Sequence, residues 1–281
     1  MSINAPFKAI SLPVTMALLA FSLTLNMGPI TFPAQAHNDV PTLALAHPAA
    51  AAPSPTAAPV QFRELAPGVW LHASYKNIGE WGNVLSHGLL IEQADHSILV
   101  DTAWTNAQTQ YLLNWAQHKL HKPVRYAVLT HAHEDKMGGV PTLHQQQVIT
   151  YASADTNALA RRRGLVPATH DLAFDRTQYS HILSPLVIFD PGPGHTTDNI
   201  VVGLPAQSLV FGGCLIRPGG SQNLGNTADA DIVHWAQAAA NVAEAFPEAQ
   251  IVIPSHGAPA GRELFDLTQT LAQAAQTTHN P

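Results

Sequence analysis

The chain has 281 residues, 46% of them hydrophobic, with 22 Pro and 18 Gly, which is too apolar for a disordered protein and too mixed for a fibrous one. Its net charge of −6, from 13 Lys+Arg against 19 Asp+Glu, argues against a nucleic-acid-binding surface, because neutralising phosphates takes clustered basic residues. Sixteen His stand beside one Cys, Cys214, so no intrachain disulfide and no four-Cys zinc finger can form, while a His-rich metal site remains open.

Residues 1–36 read as an export signal. Lys8 is the only charge before Asp39, an apolar stretch runs from Ile10 to Met27, and Ala34-Gln35-Ala36 has the small-x-small pattern of a cleavage site, placing cleavage after Ala36 and the mature protein in the periplasm. A membrane-spanning anchor is the alternative, but Pro13, Asn26 and Pro29 interrupt a stretch already short for one. With no Cys in this segment, a lipid anchor on Cys is not expected either. Residues 37–60, rich in Ala and Pro, read as a flexible tether, and 61–281 as the folded domain.

Short β-rich runs open that domain at Gly68–Ser74, Val84–Glu92 and Ser97–Val100. Thr105 caps a helix of about 16 residues, with Leu112, Leu113, Trp115, Ala116 and Leu120 at helical spacing. Val124–Thr130 is a buried-strand pattern, followed by a helix–strand unit ending near Tyr151 and a short helix capped by Asp155. The run Arg161-Arg162-Arg163 reads as a solvated face. The rhythm then repeats: strands at Leu186–Phe189, Ile200–Val202 and Ser208–Phe211, a helix at Asp231–Phe246, a strand at Ile251–Ile253 and a final helix at Pro259–Ala275. Two similar α/β halves, each covering one sheet face with helices and packing its bare face on the other, make a four-layer αββα sandwich.

Four strand ends run into metal-ligating residue types: His131-Ala132-His133-Glu134-Asp135 after Thr130, Gly194-His195-Thr196 after Phe189, Gly212-Gly213-Cys214 after Phe211, and Ser255-His256 after Ile253. Carboxyl ends of strands converge on one sheet edge in α/β folds. His131, His133 and His195 can hold one zinc, and Asp135, Cys214 and His256 a second. Two such ions are typically about 3.5–4 Å apart and can share a hydroxide formed at neutral pH. Gly138-Gly139 and Gly192/Gly194 are expected to let the backbone turn sharply beside the metals.

Together with Val100–Thr105, these segments resemble the metallo-β-lactamase superfamily, and within it the subclass B1 enzymes, most nearly the New Delhi type. The resemblance spans residue 65 to the C-terminus. It implies the αββα metallo-β-lactamase fold, two zinc ions per chain, and hydrolysis of the β-lactam ring amide of penicillins, cephalosporins and carbapenems by a metal-bridging hydroxide, with antibiotic resistance as the outcome. It implies that Asp135 orients that hydroxide, that Arg217 takes the substrate carboxylate where the family usually has Lys, and that Asn226 polarises the lactam carbonyl. Tyr75–Asn83 matches a mobile flap with Trp81 as its apolar tip, and Lys136 and Glu134 are read as supporting or solvated residues. Cys214 and Lys136 separate this pattern from thioesterase relatives; a lactone- or thioester-hydrolysing relative and a non-catalytic zinc-binding protein remain the alternatives. A monomer acting on small β-lactams, with no nucleic-acid partner and no stable membrane anchor, is the expected state.

Overall fold

A computed structural model describes residues 59–175 and 178–279; the signal segment and all but the last two residues of the tether lie outside these. Among these residues, twelve strands build two sheets. The first runs in sequence order from β1 (Val60–Ala66) through β2 (Val69–Asn77), β3 (Asn83–Glu92), β4 (Ser97–Val100), β5 (Val124–Leu129) and β6 (Ile149–Ala152) to β7 (His170–Asp171). Its neighbours are antiparallel up to β4 and parallel from there on. The second has the order β12 (Ile251–Pro254), β11 (Leu209–Gly213), β10 (Val201–Leu204), β9 (Val187–Phe189), β8 (Tyr179–Ser180).

The near-continuous apolar strands have a direct cause. Successive strand residues point to opposite faces, and here both faces are covered. Leu89 and Ile91, Ile98 and Val100, and Val128 point into a core shared with Ile188, Val202, Leu209, Phe211 and Ile253 of the second sheet. Their neighbours Leu90, Leu99, Ala127 and Leu129 pack instead on α1 (Asn106–Trp115) and α3 (Val140–Gln145). In the second sheet Val201, Val210 and Val252 face α5 (Ile232–Ala245) and α6 (Glu263–His279), where Trp235, Val242, Leu264 and Phe265 close the third core. The layers are therefore α/β/β/α, as the sequence pattern predicts. Each fully buried Leu or Val contributes about 1.5–3 kcal/mol of transfer free energy, so a register slip by one residue would move an entire set into the wrong core.

Several local expectations are corrected. β1 is absent from the sequence reading and starts at Val60, inside the stretch read as tether; Val60 is buried and pairs with Ser74. The cap of α4 (Ala154–Arg162) is Ser153, whose Oγ accepts from Thr156 N at 2.9 Å, and Asp155 sits in the first turn. The last helix begins four residues later than expected because Ala260 is engaged in an antiparallel bridge with Val252. Thr105 does cap α1, accepting from Gln108 N, and a π-helical turn over Ala116–Leu120 extends it to nearly the expected length.

Candidate active site

β9, β11 and β12 run in one direction, since β10 is antiparallel to both β9 and β11 while β12 is parallel to β11. Their carboxyl ends therefore lie at one edge, where the segment after β5 meets them. All six predicted ligands come together there. Ring centroids of His131, His133 and His195 are 4.8, 5.0 and 5.1 Å apart in near-perpendicular pairs, and His195 Nε2 is 3.2 Å from His133 Nδ1. Beside them, Cys214 Sγ lies 3.2 Å from His256 Nε2 and 3.6 Å from Asp135 Oδ2. The ligating atoms of His131, His133 and Asp135, and of Asp135, Cys214 and His256, each fall within 4.8 Å of one another.

The ring orientations suit cation binding. His256 donates Nδ1–H to Leu85 O at 2.6 Å, leaving Nε2 for the cluster. His131 Nε2 is buried with no hydrogen-bond partner, a costly arrangement that a cation would relieve. Burial, and then the neighbouring rings, hold His131 and His195 well below the usual imidazole range, so both are neutral. Burial would raise the Asp135 carboxyl, but the Lys136 ammonium, followed by His256, pulls it well down. Burial and then Asp135 push the Cys214 thiol up. Neutral imidazoles, a carboxylate and a thiol that a cation can deprotonate form a borderline-soft N/S/O donor set, which fits zinc.

α2 (Glu134–Met137) buries Asp135 and Lys136 side by side. Lys136, expected to be supporting or solvated, is fully buried; its Nζ donates to Ser86 Oγ at 2.8 Å and His87 O at 3.1 Å, and lies 3.1 Å from Asp135 Oδ2 and 3.8 Å from Asp101 Oδ2. Burial opposes its charge, but Asp135, then Cys214 and Asp101, hold its pKa above the ordinary lysine value. Asp101 has φ 60, strained for a non-glycine residue, and its carboxylate accepts from Thr130 N and Thr130 Oγ1 at 2.8 and 2.9 Å. Burial raises Asp101 to about 7 against the pull of Lys136. Glu134 is exposed and paired with Lys76 of β2.

Gly138 and Gly139 serve differently from expectation. Both have negative φ. What they supply is space: a Cβ would stand 2.2 Å from Trp104 O at Gly138 and 1.9 Å from Thr109 Oγ1 at Gly139. They let α1 and the Trp104 segment press against the ligand-bearing turn.

A cleft of about 260 Å³ opens above the cluster, lined by Ile78, Trp81, Val84, Trp104, His133, Asp135, His195, Arg217, Gly225, Asn226 and His256. Trp81 stands 65% exposed at the tip of the β2–β3 hairpin, between Gly79 and Gly82, which have φ 65 and 67. The hairpin base is tied by Gln108 Nε2 donating to Tyr75 O at 2.8 Å. Arg217 is half-buried, its Nε without a partner. Asn226 is exposed, and its Oδ1 accepts from Ala228 N at 3.1 Å, which leaves the amide NH2 free to donate.

Three contributors escaped the sequence reading: Asp101, Asp229 and Arg163. An acidic residue closing the apolar strand Ile98–Val100 was a usable signal for Asp101. Arg163 is no solvated partner of Arg161 and Arg162, since it folds back to donate to Ala132 O at 2.8 Å.

The metallo-beta-lactamase superfamily model matches residues 81–256. A metallo-beta-lactamase type 2 of Pseudomonas aeruginosa is 34% identical over 209 residues, covering 74% of this chain and 82% of that protein; one of Bacteroides fragilis is 34% identical over 223 residues, covering 79% and 89%. Among solved structures, the mono-zinc form of the metallo-beta-lactamase FIM-1 from Pseudomonas aeruginosa is 59% identical with TM-score 0.77, covering 79% of this chain and 98% of that one. A metallo beta lactamase from Hirschia baltica is 48% identical with TM-score 0.74, covering 76% and 98%.

Proposed function

The chain belongs to the metallo-beta-lactamase superfamily, and on that premise we propose that it is a zinc-dependent β-lactamase with two zinc ions per chain, a subclass B1 enzyme most similar to the New Delhi type. The observation that carries this reading is the pairing of two donor trios, three His on one side and Asp-Cys-His on the other, beneath a cleft with Arg217 and Asn226 in its lining. His131, His133 and His195 would hold one ion, and Asp135, Cys214 and His256 the other. Zinc in these positions supplies Lewis-acid polarisation of the lactam carbonyl and lowers the pKa of water to about 7, so that a nucleophile is available at neutral pH.

The chain's own groups do the rest. The Arg217 guanidinium pairs with the carboxylate that penicillins, cephalosporins and carbapenems share, bidentately where geometry allows. The free amide NH2 of Asn226 donates to the carbonyl oxygen as negative charge develops there, which lowers the barrier rather than only tightening binding. Asp135, held ionised by Lys136, accepts a hydrogen bond from the attacking nucleophile and orients it toward the carbonyl carbon. Trp81 and Ile78 close over the apolar substituents and exclude water. Monobactams, lacking the same carboxylate geometry, are poor substrates on this reading. The mature protein acts as a periplasmic monomer; among the described residues no helix is long and apolar enough to cross a membrane.

The test is carbapenem hydrolysis by the purified mature protein, followed by loss of ring absorbance with and without a chelator. Zinc-dependent turnover at micromolar enzyme is expected; no turnover in either condition would overturn the reading.

A further inference from the structure

One carboxylate joins the three-His cluster to the loop that carries Asn226. Asp229 Oδ2 accepts from His133 Nε2 at 2.9 Å, and its Oδ1 pairs with Arg163 Nη2 at 2.9 Å. Arg163 Nη1 donates to Ala132 O at 2.8 Å, while Asp198 Oδ2 accepts from Ala132 N at 2.8 Å. The backbone between His131 and His133 is thus gripped at both its N–H and its carbonyl by charged side chains. Among the described residues, the other hydrogen bonds of 219–230 run within the loop or to Pro218; Leu224 adds an apolar contact in the third core.

Resting on the zinc-hydrolase reading, we infer that Asp229, backed by Arg163, is a positioning residue that couples metal binding at His133 to the placement of the Asn226 loop. A carboxylate facing Nε2 requires a proton there, so Nδ1 is the nitrogen turned to the cluster, 3.2 Å from His195 Nε2. The same contact makes the imidazole a stronger donor to a metal. Asn226 lies three residues upstream, about 10–11 Å away at full extension, so the tie that orients the ring also limits where the Asn226 amide can sit. Losing it acts on both ends: the ring gains rotational and tautomeric freedom, and the loop loses its polar anchor. The Asp229 and Arg163 side chains are 43% and 26% exposed, so folding itself depends little on the pair.

The inference is tested first without any substitution. In metal-free protein, the ring-nitrogen NMR shifts of His133 are expected to report the Nε2–H tautomer; an Nδ1–H tautomer or a rapid mixture of the two overturns it. In the second arm, zinc affinity is measured by competition with a chromophoric chelator. Asp229→Ala is expected to lower it about 10- to 100-fold and to raise KM, with thermal unfolding of the metal-free protein unchanged. Asp229→Asn, whose amide oxygen still accepts from His133, should recover part of both losses, and Arg163→Lys should fall between. Unchanged zinc affinity in Asp229→Ala overturns the inference. Failure of the zinc-hydrolase reading shows separately, as no zinc uptake or turnover by the unsubstituted chain, and the metal-free tautomer still decides the role of Asp229.

Discussion

Lys136 Nζ lies 3.1 Å from Asp135 Oδ2, with the two side chains 0% and 7% exposed. A fully buried ammonium thus stands directly behind a carboxylate proposed to ligate metal. It keeps that carboxylate ionised and aimed before any ion arrives, and Ser86 and the His87 carbonyl occupy its other protons. Truncation to Lys136→Ala strands Asp135 and Asp101 without their cation. A loss of about 3–5 kcal/mol is expected in chemical denaturation, the usual cost of breaking a buried pair on one side. A loss below about 1 kcal/mol would mean the pair behaves like a surface contact.

Cys214→Ser tests the second trio. The thiol is pushed up by burial and Asp135, so zinc uptake must displace its proton. The variant is expected to bind one zinc rather than two by elemental analysis, to release fewer protons on zinc addition, and to lose most of its hydrolytic activity. Retention of two tightly held ions would show that Cys214 is not a ligand.

Arg217 is expected to act through substrate affinity. Arg217→Ala should raise KM for carboxylate-bearing β-lactams by at least tenfold, about 1.4 kcal/mol, and leave kcat less affected. Arg217→Lys should recover most of this. Steady-state kinetics on one penicillin and one β-lactam lacking the carboxylate separate the cases, since only the former should respond.

Trp81 stands free of the core. Trp81→Ala should therefore leave the free energy of unfolding within about 0.5 kcal/mol of the parent while raising KM for substrates with bulky apolar substituents. A large stability loss would instead assign the indole to packing.

His72 carries an acid liability. Burial, opposed by its contact with the Asp101 carbonyl, lowers it to about 3 from the ordinary 6.5, and its Nε2 donates to Asp101 O at 3.1 Å. Between these two values the unfolded chain binds a proton that the folded chain refuses. Stability therefore falls as pH drops from 6.5 toward 3 and is indifferent to this group above 6.5. The contribution is about 1.4 kcal/mol per pH unit. In metal-free protein, denaturation of His72→Gln between pH 7 and 4 should show a slope shallower by that amount; parallel curves would contradict it.

Much of the site was legible because its chemistry is written at strand ends. A strand that ends in His-x-His-x-Asp, another that ends near Gly-His-Thr, a third in Gly-Gly-Cys and a fourth in Ser-His mark the candidate ligands by themselves once the topology aligns their carboxyl ends. The unbroken apolar runs likewise implied sheets covered on both faces. Less legible were β1, whose polar Arg63 and Glu64 mask its alternation, and the start of α6, delayed by the pairing of Ala260 with Val252.

By itself the sequence determined the layer order and the six candidate ligands, because both depend on local periodicity and on residue types next to strand ends. Only the tertiary structure decided which charges support them. Lys136 reads as either supporting or solvated until the fold closes around it, and Arg163 as part of a basic run until it turns toward Ala132. Asp229 acquires its partner from a residue 96 positions away. Charge pairing across such separations follows from how loops pack against one another, and no periodicity along the chain records that.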